Sequence, residues 1–100
     1  MIRFQRSARA RGSKVLEAIQ FTKEVAEYLN TKYAPVSVQV YTELFGDVNT
    51  IYWYSDYKDL ATIEGINAQL LADQGYWAIL GKATDLFIEG SLHDTLMSSV

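Results

Sequence analysis

The chain has no cysteine, one histidine and one proline, and each shortage closes off a class of chemistry. Without cysteine there is no thiol nucleophile, no thiolate zinc site, no disulfide and no thiol redox switch. His93 stands alone, which excludes a two-histidine metal site within one chain. No metal site is expected, and no motif calls for a cofactor. No apolar run approaches the ~18–20 residues that a membrane span requires, and no secretory pattern follows Met1. No membrane partner is therefore expected, and a cytoplasmic location is the default.

What the sequence does hold is enough for a core. Its 100 residues are 49% apolar and 21% charged, which points to a single globular domain over residues 1–100. The formal charge of −3 is unevenly spread. Residues 1–14 carry Arg3, Arg6, Arg9, Arg11 and Lys14 without an acid, so every acid lies beyond them. An arginine-rich, acid-free start resembles a mitochondrial targeting segment. Against that, Ile2, Phe4, Ala8 and Ala10 fall on one side at period two, and the segment reads as a strand.

Gly12 permits a turn after this strand, and Ser13 is a candidate helix cap. Val15, Ile19, Thr22, Ala26, Leu29 and Tyr33 then recur at helical spacing, which predicts a helix over 13–33, closed before Pro35. Val36 to Phe45 alternate as a second strand, and Gly46-Asp47 suits a two-residue hairpin turn into a third strand, 48–55. That turn would pair Glu43 with Thr50, Tyr41 with Tyr52 and Gln39 with Tyr54. A second helical region begins at Asp56, with Leu60, Ile63, Ile66, Leu70 and Leu71 on its apolar stripe. Gly65 within it predicts close approach of another backbone. Asp73-Gln74-Gly75 breaks the helix, and Tyr76 to Leu80 form a short one ended by Gly81. Leu86, Ile88 and Leu92 alternate with Phe87, Glu89, Ser91 and His93, predicting a fourth strand over 86–93 and a tail over 94–100.

The order β-α-β-β-α-β with right-handed crossovers gives an α+β, ferredoxin-like fold: a four-stranded antiparallel sheet of order 4-1-3-2 with both helices on one face. Ile2, Phe4, Val36, Val38, Val40, Leu44, Ile51, Trp53, Leu86 and Ile88 would face the helices. The other face would carry Arg3, Gln5, Arg9, Gln39, Tyr41, Glu43, Phe45, Tyr52, Tyr54, Phe87, Glu89 and His93, a set too aromatic for a solvated sheet and too polar for a dry core. A second copy is the economical cover, and two sheets packed face to face make a homodimeric barrel. The stretch Val40 to Leu80 carries further detail, in Val40-Tyr41-Thr42-Glu43-Leu44-Phe45-Gly46-Asp47-Val48-Asn49, Tyr52-Trp53, Asp59-Leu60-Ala61, Glu64, Leu70, Asp73 and Tyr76-Trp77. It resembles the NIPSNAP-like branch of the dimeric α/β-barrel superfamily. The resemblance implies a dimeric ferredoxin-like barrel; the wider superfamily includes cofactor-independent monooxygenases, haem-handling enzymes and small-molecule isomerases, so it implies no one reaction.

Two apparent motifs dissolve on spacing. Gly75 to Lys82 has five residues between its glycines where a phosphate loop needs four, and His93-Asp94 lacks a nucleophile elbow. Two groups remain as candidate ligand sites. On the open sheet face these are Arg3, Tyr41, Glu43, Tyr52, Tyr54, Glu89 and His93; the bland alternative is that the arginines and glutamates are interface ion pairs fixing dimer register. In a cleft between sheet and helices they are Trp53, Tyr76 and Trp77, whose alternative is plain core packing. The competing functions are a dimer that binds a small molecule, a monooxygenase-like or other small-molecule enzyme, and a structural or regulatory dimer with no ligand. Aromatics beside arginines on such a sheet also suit single-stranded RNA, but the negative charge and a pI near 5.0 oppose it, and no nucleic-acid partner is expected.

Overall fold

In a computed structural model, residues 1–100 are all described. The strands are β1 (Ile2–Arg9), β2 (Gln39–Thr42), β3 (Thr50–Tyr57) and β4 (His93–Ser98); the helices are α1 (Val15–Lys32), α2 (Leu60–Leu71) and α3 (Gln74–Leu80). All strand pairs are antiparallel and the sheet order is β2-β3-β1-β4, the ferredoxin-like arrangement expected. No helix is long and apolar enough to cross a membrane.

The β2–β3 register is the one the turn predicts, with Gln39 opposite Tyr54 and Tyr41 opposite Tyr52. The ladder stops earlier than expected, at the Thr42–Ile51 pair. The tip is instead a loop in which the Glu43 carboxylate accepts from the Asp47 amide. Gly46 sits there at φ +83°, and a Cβ would run into that carboxylate, so only glycine fits without strain.

Small residues set the depth of the core. Ala10, Ala18, Ile51 and Leu86 form its centre, with Val15, Ile19, Phe21, Val40, Trp53 and Phe87 packed around it. Ala18 and Ala26 let α1 lie close to the sheet, and the Thr22 hydroxyl satisfies itself on the Ala18 carbonyl.

Several expected details are corrected. Ser13 does not cap α1; it lies in a 3-10 turn over Gly12–Lys14, and α1 starts without a side-chain cap. Asp56 belongs to β3, and the cap of α2 is Asp59, which accepts from the Thr62 amide at 2.9 Å. Gly65 has nothing near the place of a Cβ, so no backbone approaches it. The largest correction is the fourth strand. Residues 86–88 meet only the end of β1, through the Ala10–Phe87 bridge and bonds to Arg9 and Arg11. The chain then leaves the edge around Gly90, at φ +81°, and rejoins it as β4 at His93. Residues 94–98, expected as tail, are thus strand. The excursion inserts an odd number of residues, which inverts the alternation between the two halves. Phe87, expected on the open face, therefore packs on the helix side against Phe21 and Trp53. Leu44 and Ile88, expected toward the helices, are exposed.

Candidate functional site

The open face is built by alternation. Arg3, Gln5 and Ser7 of β1 lie opposite Asp56, Tyr54 and Tyr52 of β3, all on the side away from the Ala8–Ile51 pair and the helices. Cross-strand placement makes the partners. Arg3 grips Asp56 in a two-point ion pair, Nε to Oδ1 at 2.8 Å and Nη2 to Oδ2 at 3.0 Å, and its guanidinium sits 4.1 Å from the centre of the Tyr54 ring. Tyr54 in turn stacks on Tyr41. Tyr52 donates to the Glu43 carboxylate; this bond and the Asp47 amide hold Glu43 below the ordinary carboxylate range and push the Tyr52 hydroxyl up. Arg3, Tyr41, Glu43, Tyr52 and Tyr54 thus share one face, but the arginine is paired with Asp56 and not with either expected glutamate. Glu89 lies in the excursion between the two edge segments, exposed and off the sheet. His93 is exposed at the start of β4, opposite Ser7.

On the helix side the sheet carries a second constellation. A cleft of about 510 Å³ opens between α2 and the β3-β1-β4 strands, walled by Phe4, Tyr57, Ile63, Ile66, Leu70 and Leu96. Arg6 and Asp94 sit in it. Phe4, Arg6, Tyr57, Asn67 and Leu70 also line a smaller inner chamber of about 100 Å³ that reaches Trp53 and Tyr76. The two openings are therefore one site with a shared wall. Of the expected cleft aromatics, Trp53 and Tyr76 are there. Trp77 is not: half exposed, it points its indole N–H at the Leu71 carbonyl.

Arg6 and Asp94 are direct neighbours across the β1–β4 ladder. Arg6 Nε reaches Oδ1 at 2.6 Å and Nη2 reaches Oδ2 at 2.9 Å, with 29% of the arginine side chain exposed and 39% of the aspartate. Each partner keeps the other charged: the bond to Asp94 raises the arginine, and the arginine holds Asp94 below its ordinary value. Burial raises the nearby Tyr76 hydroxyl. Sequence reasoning missed this pair. A signal was present: Arg6 is the one charged residue on the apolar side of β1, between Phe4 and Ala8. Asp94 gave none, because its strand was placed too early.

The joint that holds α2 and α3 is a separate cluster. Asp73 caps α3 through the Tyr76 amide and also accepts from the hydroxyls of Tyr28 and Tyr33 and from Lys32 Nζ at 3.0 Å. The Tyr33 hydroxyl above all, with Lys32 and Tyr28, holds this buried carboxyl far below the ordinary range. Gly75 makes room: a Cβ there would stand 2.6 Å from the Tyr28 hydroxyl. The cluster fastens the far end of α2 to α1 and leaves the middle of α2 to span the cleft.

Comparison with solved structures agrees with this architecture. The chain superposes over its whole length on a NIPSNAP domain protein from Burkholderia xenovorans, with 18% identity, 95% of that chain covered and a TM-score of 0.83. A NIPSNAP family protein from Agrobacterium tumefaciens matches 99% of this chain and 92% of its own, with 18% identity and a TM-score of 0.79. An antibiotic biosynthesis monooxygenase matches 100% and 99%, with 13% identity and a TM-score of 0.72. No protein-family profile and no curated sequence matches the chain. At these identities the likeness is one of fold, shared with NIPSNAP domain proteins and monooxygenase-like proteins.

Proposed function

We propose that this chain is a small-molecule-binding subunit whose ligand lies between the sheet and α2, and that two copies pack through their open sheet faces. One observation carries the first part. The cleft has a volume within the ~300–1,000 Å³ of ordinary ligand pockets, mainly apolar walls with Asn67 and Thr95 among them, and one charged pair, Arg6 and Asp94, inside it. Its roof, α2, is an apolar helix with no buried residue. A helix of that composition buries its stripe in a finished structure, so a bound molecule is the fitting cover. The neighbour named a monooxygenase makes catalysis in the same cleft the second reading, with Arg6 and Tyr57 among the polar side chains available there.

The second part rests on charge. On the open face Arg3 is neutralised by Asp56, Arg9 lies 3.6 Å from Asp47, and Glu43 is satisfied by Tyr52. A second identical face therefore meets stacked tyrosines and no unpaired like charge, which suits an isologous contact. The exposed Tyr41 and Met97 give it apolar area. The reading keeps the cytoplasmic location expected from the sequence.

Thermal-shift screening of aromatic and aliphatic small molecules tests the ligand site. Stabilisation that disappears in Ile66→Trp, which fills the cleft, is the expected result; stabilisation unchanged by that substitution places the site elsewhere. Light scattering tests the assembly, with twice the 11.3 kDa chain mass expected and the single-chain mass contradicting it.

A further inference from the structure

Resting on the reading of the cleft as a ligand site, we infer that its ligand is a neutral, largely apolar molecule carrying an oxygen acceptor, such as an aryl ketone, and that the site discriminates against carboxylates. The reasoning starts from the donors of Arg6. A guanidinium has five N–H groups, and Asp94 takes one from Nε and one from Nη2. Nη1 and the other Nη2 proton meet no protein acceptor. In an apolar cleft such donors are costly to leave empty once a ligand has displaced water, and an acceptor oxygen on the ligand satisfies them.

The charge balance decides which oxygen. Asp94 is the cross-strand neighbour of Arg6, so its carboxylate is held beside the guanidinium by the backbone. A ligand carboxylate must either displace this tethered competitor, present at high effective concentration, or enter a site whose net charge is already zero. A carbonyl meets neither obstacle. Tyr57, which lines the cleft, adds to the bias: its hydroxyl already accepts from Ser55 at 2.8 Å, which leaves its own proton to give. Arg6 and Tyr57 thus offer donors that Asp94 does not take up, and the walls of Phe4, Ile63, Ile66 and Leu96 select for apolar bulk.

Three probes of nearly equal shape separate the possibilities: 2-acetylnaphthalene, 2-isopropylnaphthalene and 2-naphthoate, titrated by NMR against the wild type, Ile66→Trp and the double variant Arg6→Met/Asp94→Leu. The double variant removes the pair together and leaves no unpaired charge. The ketone should bind the wild type about tenfold more tightly than either of the other two, the worth of one well-made hydrogen bond. In the double variant that preference should vanish while the hydrocarbon still binds. Naphthoate binding most tightly, or ketone and hydrocarbon binding equally to the wild type, overturns the ligand class and leaves the cleft standing. No binding by any probe at millimolar concentration, or binding untouched by Ile66→Trp, overturns the cleft itself.

Discussion

The two long helices cover the same sheet in opposite ways. On α1, Ala18, Thr22, Val25 and Ala26 are buried; on α2, no residue is. Yet α2 has the more apolar sequence, with Leu60, Ile63, Ile66, Leu70 and Leu71. Close packing on the sheet comes from small residues that admit the helix, and the bulky stripe of α2 stands off and roofs a space. In this molecule the helix that builds the core is the less apolar one, brought close to the sheet by Ala18, Thr22 and Ala26, and the more apolar helix serves the site.

The contrast predicts a steep difference in mutational cost. Ile51 is 1% exposed at the centre of the α1 side, and Ile51→Ala should lose about 2–5 kcal/mol in denaturant unfolding. Ile63→Ala on the roof should lose less than about 1 kcal/mol, since little buried contact is given up. Comparable losses at both positions would erase the distinction between the helices.

The next effect belongs to the joint between them. Asp73→Asn keeps a helix cap but removes the charge facing Lys32 and the tyrosines, and should lower Tm by several degrees. Asp73→Ala should lower it further, by loss of the α3 cap as well. A Tm unmoved in both would show that the two helices are not fastened there.

Acid should act on the same carboxylates. Asp73, Asp94, Asp56 and Glu43 all have folded values below their ordinary ones. A depressed carboxylate contributes stability that is present above its unfolded pKa of roughly 4 and is lost as pH falls through the folded value. Stability should thus hold between about pH 8 and pH 5 and decline below about pH 4. The double variant Arg6→Met/Asp94→Leu should show a shallower acid decline than the wild type, and an identical profile would remove Asp94 from the account.

The smallest effect, and the most pointed for α2, is at Gly65. Nothing occupies the place of its Cβ, so Gly65→Ala should stabilise the protein by about 0.5–1 kcal/mol through helix propensity alone. A loss in its place would mean that something packs on that face.

The fold was legible where period and turn chemistry agreed. The alternation of β1, the α1 stripe, the hairpin register around Gly46 and the break at Asp73-Gln74-Gly75 each followed from local sequence. The fourth strand failed because two segments on one edge both alternate, and the choice between them lies in an excursion whose turn at Gly90 and left-handed Asp85 are tertiary in origin. With that strand went Asp94, and with Asp94 the meaning of Arg6. The open-face residues of β1, β2 and β3 were readable because period two needs no tertiary information. Their partners were not: Asp56 was assigned to a helix, so the arginine was matched with glutamates.

Native-state hydrogen exchange on α2, with and without 2-acetylnaphthalene, tests most directly whether the space beneath it is a ligand site. In the free protein α2 amides should exchange at least about tenfold faster than those of α1, and addition of the ketone should slow α2 selectively. Equal protection of the two helices without ligand, unchanged on its addition, would contradict the account.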